Sequence, residues 1–205
     1  MRWWALKLSI IIVVIFLVQT FVPFFEEQFI LDSVLVAERP WTLLTAVFLH
    51  GGFQHLFYNV FALLFFGLIL EKVIDSRRLL IVFFVSGLVA SVAAALFYSA
   101  SLGASGAIFG IIGTLAILRP RMVVYVGFIP LPMIVATALW AAGDIFGLFY
   151  PSQIANAAHL GGLFVGTIYG LHLRNRFGEK RGMRRNSVEI GESDFRRWED
   201  RWLRF

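Results

Sequence analysis

Apolar and polar residues fall in long blocks along this chain, without the short period of a strand or of a surface helix. Apolar stretches run from about Leu8 to Phe25, Phe53 to Leu70, Leu79 to Ser99, Ser105 to Leu118, Met122 to Phe149 and Ala157 to Leu173. Blocks of this length predict helices that cross a bilayer, since a hydrocarbon core of about 30 Å takes roughly 20 helical residues. The fourth block is short for a full crossing. The expected fold class is all-α, a bundle of six transmembrane helices, because backbone groups in lipid must be paired within the protein. The first block is too long for a signal-peptide core and has no small-residue cleavage site after it, so it reads as a retained first span.

Charge sets the orientation. Arg2 and Lys7 precede the first block, Lys72, Arg77 and Arg78 lie between the second and third, and Arg119 and Arg121 separate the fourth and fifth. The opposite loops hold one basic residue, Arg39, among Glu26, Glu27, Asp32 and Glu38. Lys and Arg stay on the cytoplasmic side of short loops, so both termini are expected there, and the alternation requires an even number of spans. Residues 1–173 form one membrane domain, and 174–205 a basic cytoplasmic tail. The tail is expected to lie against anionic headgroups, and Ser193 to Phe205 has the pattern of an interfacial amphipathic helix. Composition agrees: 59% of the 205 residues are hydrophobic, 15% are charged, and the mean hydropathy is +0.80. A net charge of +5 would suit nucleic acid only as a patch on a soluble fold, and here it sits in loops and tail. With no cysteine, disulfides and thiolate chemistry are excluded.

Ionisable residues inside such spans are costly, so their positions carry information. Ser105 lies 14 residues before Arg119 and His159 lies 15 before Arg174. At about 1.5 Å per helical residue, both sit roughly 21 to 23 Å from the inner boundary, about 10 Å beneath the outer surface. His55 and Asn59, one helical turn apart on the second span, bracket the same depth. Gly162, Gly166 and Gly170 form a small-residue stripe below His159, and Gly106, Gly110 and Gly113 form another on the fourth span. Close packing of these two helices would bring Ser105 within hydrogen-bonding reach of His159. A serine is a weak nucleophile until a base takes its proton, and His159 is that base. The first turn of a helix that begins at Ser105 offers free N–H groups to a developing oxyanion, and Asn59 and His55 can add donors.

These residues resemble the rhomboid family of intramembrane serine proteases. Gly103-Ala104-Ser105-Gly106 is similar to the family's GxSG motif, and His50, His55, Tyr58 and Asn59 to its second-span HxxxxHxxxN pattern. Ala158-His159 with Gly162 and Gly166 is similar to the AHxxGxxxG of its last span. The resemblance runs from the first span to about Leu173. It implies a six-helix fold, cleavage of the transmembrane segments of other proteins, a Ser105-His159 dyad, and an oxyanion hole from His55, Asn59 and the Ser105 amide. No cofactor or metal is implied, and the partners are membrane-protein substrates and lipids, in the cell membrane. Two positions depart. The outer loop has Trp41-Thr42 where many members carry Trp-Arg, with Arg39 just before. Phe109 stands where a tyrosine often stacks on the catalytic histidine.

Rival chemistries fit less well. Asp144, near the outer end of the fifth span, has the chemistry to orient a base histidine, but the resemblance implies a dyad without an acid, so Asp144 is read as structural or solvated. Paired aspartates and an HExxH metal motif are both missing from the sequence. His50 is read as supporting the outer loop or tuning His55, and His172 as a helix-to-helix hydrogen bonder. The alternative function is a non-catalytic rhomboid-like protein that binds membrane clients, although such a protein is expected to have lost Ser105 or His159. A transporter ranks below both, since no charged relay continues inward. The alanine-rich fifth span, with Ala136, Ala138, Ala141, Ala142 and Gly143, is a candidate moving gate.

Overall fold

The computed structural model describes residues 2–150 and 154–185, with side chains as far as residue 175. The proposed amphipathic helix at Ser193 to Phe205 lies outside these residues. The chain divides into two units, Met1–Leu171 and His172–Phe205, and the first carries every feature described below except the last turns of the final helix.

Helix α1 spans Trp4–Phe21, and Val22, pushed into an extended conformation by Pro23, ends it. A short helix α2, Phe25–Phe29, leads to strand β1, Leu31–Asp32, and then to a turn of helix α3, Thr42–Thr45. Helix α4, Phe53–Ile74, contains a π-helical turn at Leu63–Gly67. A single residue, Asp75 with φ 79°, reverses the chain and caps helix α5, Ser76–Phe97, by accepting a bond from the Arg78 N–H. Strand β2, Ala100–Ser101, pairs antiparallel with β1 and ties the segment after α2 to the one after α5. Helix α6 follows at Ser105–Leu118, α7 at Met133–Gly147 and α8 at Asn156–Arg185. Among the described residues, α1, α4 and α5 are long and apolar enough to cross a membrane, and α6 and α7 are shorter apolar helices.

One boundary needs correction. The fifth apolar stretch is not helical from Met122, because its first residues form a hairpin of β3, Val123–Val126, and β4, Ile129–Pro132. Pro130 and Pro132 cannot donate to a helical ladder, and the β-branched Val123, Val124, Val126 and Ile129 favour strands. Gly127, with φ 63°, occupies the first of the two loop positions, where such a tight hairpin needs a positive φ.

Helix α6 is the centre of the bundle. Ten of its residues are buried, on every side, so it has no polar face to turn outward. Gly106 and Gly110 leave room for Ala90 and Ser86 of α5, and a Cβ on either glycine would overlap those side chains. The other side of α6 meets α8 through backbone: a Cβ on Gly162 would overlap the Gly106 carbonyl, and one on Gly166 the Gly110 carbonyl. Thr114 adds a hydrogen bond across this contact, its hydroxyl donating to the Gly166 carbonyl at 2.9 Å. In lipid, where apolar surface alone does not drive helices together, such close backbone approach supplies the packing.

At the opposite end of α4, buried Glu71 holds α1 in place. Its carboxylate accepts the N–H groups of Trp4 (3.0 Å) and Ala5 (3.2 Å), and the Ser76 hydroxyl (2.6 Å). The two amides are first-turn donors of α1, which has no acidic residue of its own there.

Candidate active site

The local sequence explains why a serine stands at the head of α6. Gly103 has φ 122°, which turns the chain inward, and its N–H donates to the Ala46 carbonyl at 2.9 Å. A Cβ there would lie 2.7 and 2.8 Å from ring atoms of His55, so space as well as conformation demands glycine. Ser105 is then the first helical residue, and Ile108 is the first whose N–H reaches back into the helix, to the Ala104 carbonyl. The amides of the first turn are left facing out of the helix end.

His159 lies in the second turn of α8, and its Nε2 is 2.8 Å from the Ser105 hydroxyl. The close α6–α8 approach sets this distance, because the glycine contacts begin at Gly106, next to Ser105, and at Gly162, about one turn past His159. The Phe109 ring stacks on the imidazole at 4.3 Å between centroids and 7° between planes, one turn along α6 from Ser105. Stacking of this kind limits rotation of the histidine ring.

Asp144 is where the structure departs most from the sequence reading. It is 7% exposed, and its Oδ1 lies 3.0 Å from His159 Nδ1. It is thus neither solvated nor remote. A carboxylate oxygen can only accept, so the proton of a neutral His159 sits on Nδ1, and Nε2 is left to accept from Ser105. The signal was present in the sequence as an acid within an apolar span.

The second-span residues form the adjoining wall. His55 lies over Gly103, two residues before the serine. Asn59 is buried; its side-chain N–H donates to the His55 carbonyl at 2.9 Å, and among the described residues its Oδ1 has no partner. The His50 ring sits 5.0 Å from that of His55, with Nδ1 3.3 Å from the Phe48 carbonyl. Burial, and then His55, lower the pKa of His50 to about 4, against a smaller opposing effect of the Phe48 carbonyl.

Gln19 of α1 escaped the sequence reading. Its amide accepts from the His50 N–H (3.1 Å) and donates to the His50 carbonyl (2.9 Å) and to Glu26 (2.7 Å). The outer loop is tied down where it departs from the family pattern: Arg39 donates to the Glu27 carbonyl at 3.0 Å and Trp41 Nε1 to that of Gln28 at 3.1 Å. Beside Ser105 a small cavity is lined by Leu31, Ala46, Gly87, Ala90, Ala107 and Ala158.

Comparison with known proteins points to one family. A family model described as Rhomboid domain matches residues 37–176. RHOMBOID-like protein 4 of Arabidopsis thaliana is 34% identical over 148 residues, covering 69% of this chain and 36% of that protein. Rhomboid protease GluP of Bacillus subtilis (strain 168) is 33% identical over 170 residues, covering 79% of this chain and 32% of that protein. Inactive RHOMBOID-like protein 8 of Arabidopsis thaliana is 36% identical over 77 residues, covering 37% of this chain and 22% of that protein. The chain thus spans about a third or less of the length of these relatives.

Proposed function

This chain belongs to the rhomboid family, and from that membership and the geometry above we propose that it is an intramembrane serine endopeptidase. It is an integral, multi-pass membrane protein. In the proposed topology it crosses the membrane six times, with both termini cytoplasmic and the polar layer beneath the outer face. The single observation that carries the reading is the 2.8 Å contact between Ser105 Oγ and His159 Nε2, since a partly buried serine aligned with a base is an activated nucleophile. Members without activity exist, as one relative's name states. The dyad favours catalysis here over retention of membrane clients.

A substrate's transmembrane segment enters from the side and unwinds locally, because a helical peptide bond in lipid is already paired and shielded. One route of entry is between α4 and α7, which touch through Phe66 and Trp140, edge to face at 6.0 Å. Ser105 Oγ attacks the scissile carbonyl as its proton passes to His159 Nε2. The oxyanion is met by the Ser105 amide, with Asn59 and His55 as side-chain donors. His159 then hands the proton to the leaving nitrogen as the C–N bond breaks. Water on the outer side hydrolyses the acyl-enzyme with His159 as base. The small side chains around the cavity beside Ser105 suit a small residue just before the scissile bond.

The test is cleavage of a single-span substrate by the purified protein in detergent. Ser105→Ala and His159→Ala should each abolish it, and a fluorophosphonate probe should label the wild type at Ser105. Equal cleavage by all three proteins would rule out the dyad.

A further inference from the structure

The β3–β4 hairpin is apolar on the side where a hairpin in water would be polar. Residues 123–132 contain no charged side chain, and the Tyr125 hydroxyl is their one polar side-chain group. The register pairs Val123 with Pro132 and Tyr125 with Pro130, so these four share one face, while Val124 and Leu131 lie on the other. Val124 is buried and Leu131 half-buried, whereas Val123, Tyr125, Pro130 and Pro132 are all exposed. At the tip Phe128 is fully exposed. An antiparallel pair with one face in water alternates apolar and polar residues, and this one does not.

The free edge of β4 is also suited to a dry surrounding. The Met133 N–H donates to the Met122 carbonyl at 2.7 Å. Along an antiparallel ladder bonded and unbonded pairs alternate, so Val124–Leu131 is bonded, and Val123–Pro132 and Tyr125–Pro130 are not. Backbone groups of an unbonded pair point away from the partner strand, and proline has no N–H to leave there. The outer edge of β4 therefore presents no donor at Pro130 or Pro132. The same prolines block strand addition by a second copy. Depth follows from the helices: α6 and α7, of 14 and 15 residues, each descend about 21 to 22 Å from the level of the site. In the topology proposed above, Leu118 and Met133 thus reach the inner boundary of the hydrocarbon. Arg119 and Arg121, both exposed, lie between α6 and the hairpin.

We propose that the hairpin is an interfacial anchor, with Val123, Tyr125 and Phe128 in the headgroup and upper acyl layer of the inner leaflet. Arg119 and Arg121 lie against anionic headgroups. The choice of leaflet rests on the proposed topology, and the seat in lipid does not depend on proteolysis. The Pro130 and Pro132 carbonyls keep the hairpin at the boundary, because unpaired backbone groups are costly in the hydrocarbon centre. Since β4 runs directly into Met133, the anchor fixes the inner end of α7 at one depth.

The chain has no cysteine, so Phe128→Cys and Tyr125→Cys each give one attachment point for an environment-sensitive fluorophore. Both side chains are exposed, and their replacement leaves the core intact. The full chain is placed in vesicles of phosphatidylcholine and phosphatidylglycerol, with Arg77→Cys, exposed in the first turn of α5, as reference. Lipid spin-labelled near the headgroup is expected to quench both hairpin labels about twofold more than lipid labelled at the chain end, and aqueous iodide about threefold less than it quenches the reference. Iodide quenching equal to the reference, with none from either lipid, overturns the anchor. Stronger quenching from the chain end places the hairpin in the hydrocarbon centre and also overturns it. Shielding from iodide that grows with the protein-to-lipid ratio, without quenching by lipid, assigns the face to a second copy and overturns it as well. Arg119→Gln combined with Arg121→Gln is expected to raise iodide quenching at Phe128→Cys about twofold, and an unchanged value overturns the part given to the arginines. In intact cells a membrane-impermeant maleimide is expected to spare Arg77→Cys. Reaction there overturns the topology and the choice of leaflet, whereas absence of Ser105-dependent cleavage overturns the protease reading alone.

Discussion

Replacing Gly162 by alanine tests whether helix packing sets the catalytic distance. An added Cβ would stand 2.8 Å from the Gly106 carbonyl carbon, whereas ordinary contact lies at 3.4–4 Å. The neighbour is backbone of a helix buried on all sides, and the Gly106 carbonyl oxygen lies closer still, so the strain is relieved by moving α8 away from α6 by at least roughly 0.6 Å, the difference that the carbonyl carbon alone requires. His159 is three residues away on the same helix and moves with it. The Ser105–His159 distance of 2.8 Å then opens to about 3.4 Å or more, beyond a working hydrogen bond. A misplacement of about 1 Å at reacting groups costs on the order of 10² in rate. Overpacking costs about 1–3 kcal/mol of stability, offset by up to about 1 kcal/mol from the better helix propensity of alanine. Cleavage kinetics, fluorophosphonate labelling of Ser105 and thermal unfolding in detergent read the two effects separately. Gly143→Ala is the control, because a Cβ there meets nothing within 4 Å. Wild-type kcat in Gly162→Ala, within about threefold, would show that the α6–α8 glycine contact does not hold the dyad.

Two further changes probe other parts of the molecule. For Asn59→Ala, kcat is expected to fall by about 10²-fold or more with labelling of Ser105 retained, and a rate within about threefold of wild type removes Asn59 from the oxyanion hole. Glu71→Ala should lower the thermal midpoint through loss of three hydrogen bonds to a buried carboxylate, an effect of roughly 2–4 kcal/mol; an unchanged midpoint would show that α1 is held by apolar packing alone.

What the sequence determined by itself was one-dimensional. The apolar blocks follow from hydropathy, and for most of them the helices begin and end within a few residues of the expected positions. The depth expected for Ser105 and His159 follows from counting along helices of constant rise, and the glycine stripes from the period of one turn. Each is a property of a single segment. The tertiary structure decided what depends on the rotation and pairing of segments. One residue along a helix turns a side chain by about 100°, so the sequence shows Asp144 inside an apolar stretch without showing that it faces His159. The partner of Gln19, a loop backbone 31 residues later in the chain, has no local signature for the same reason. The β3–β4 hairpin had its signal in Pro130, Pro132 and Gly127, but a long apolar run outweighed it. The acid at His159 Nδ1, read from sequence as structural or solvated, meets that ring only because two helices bring it there.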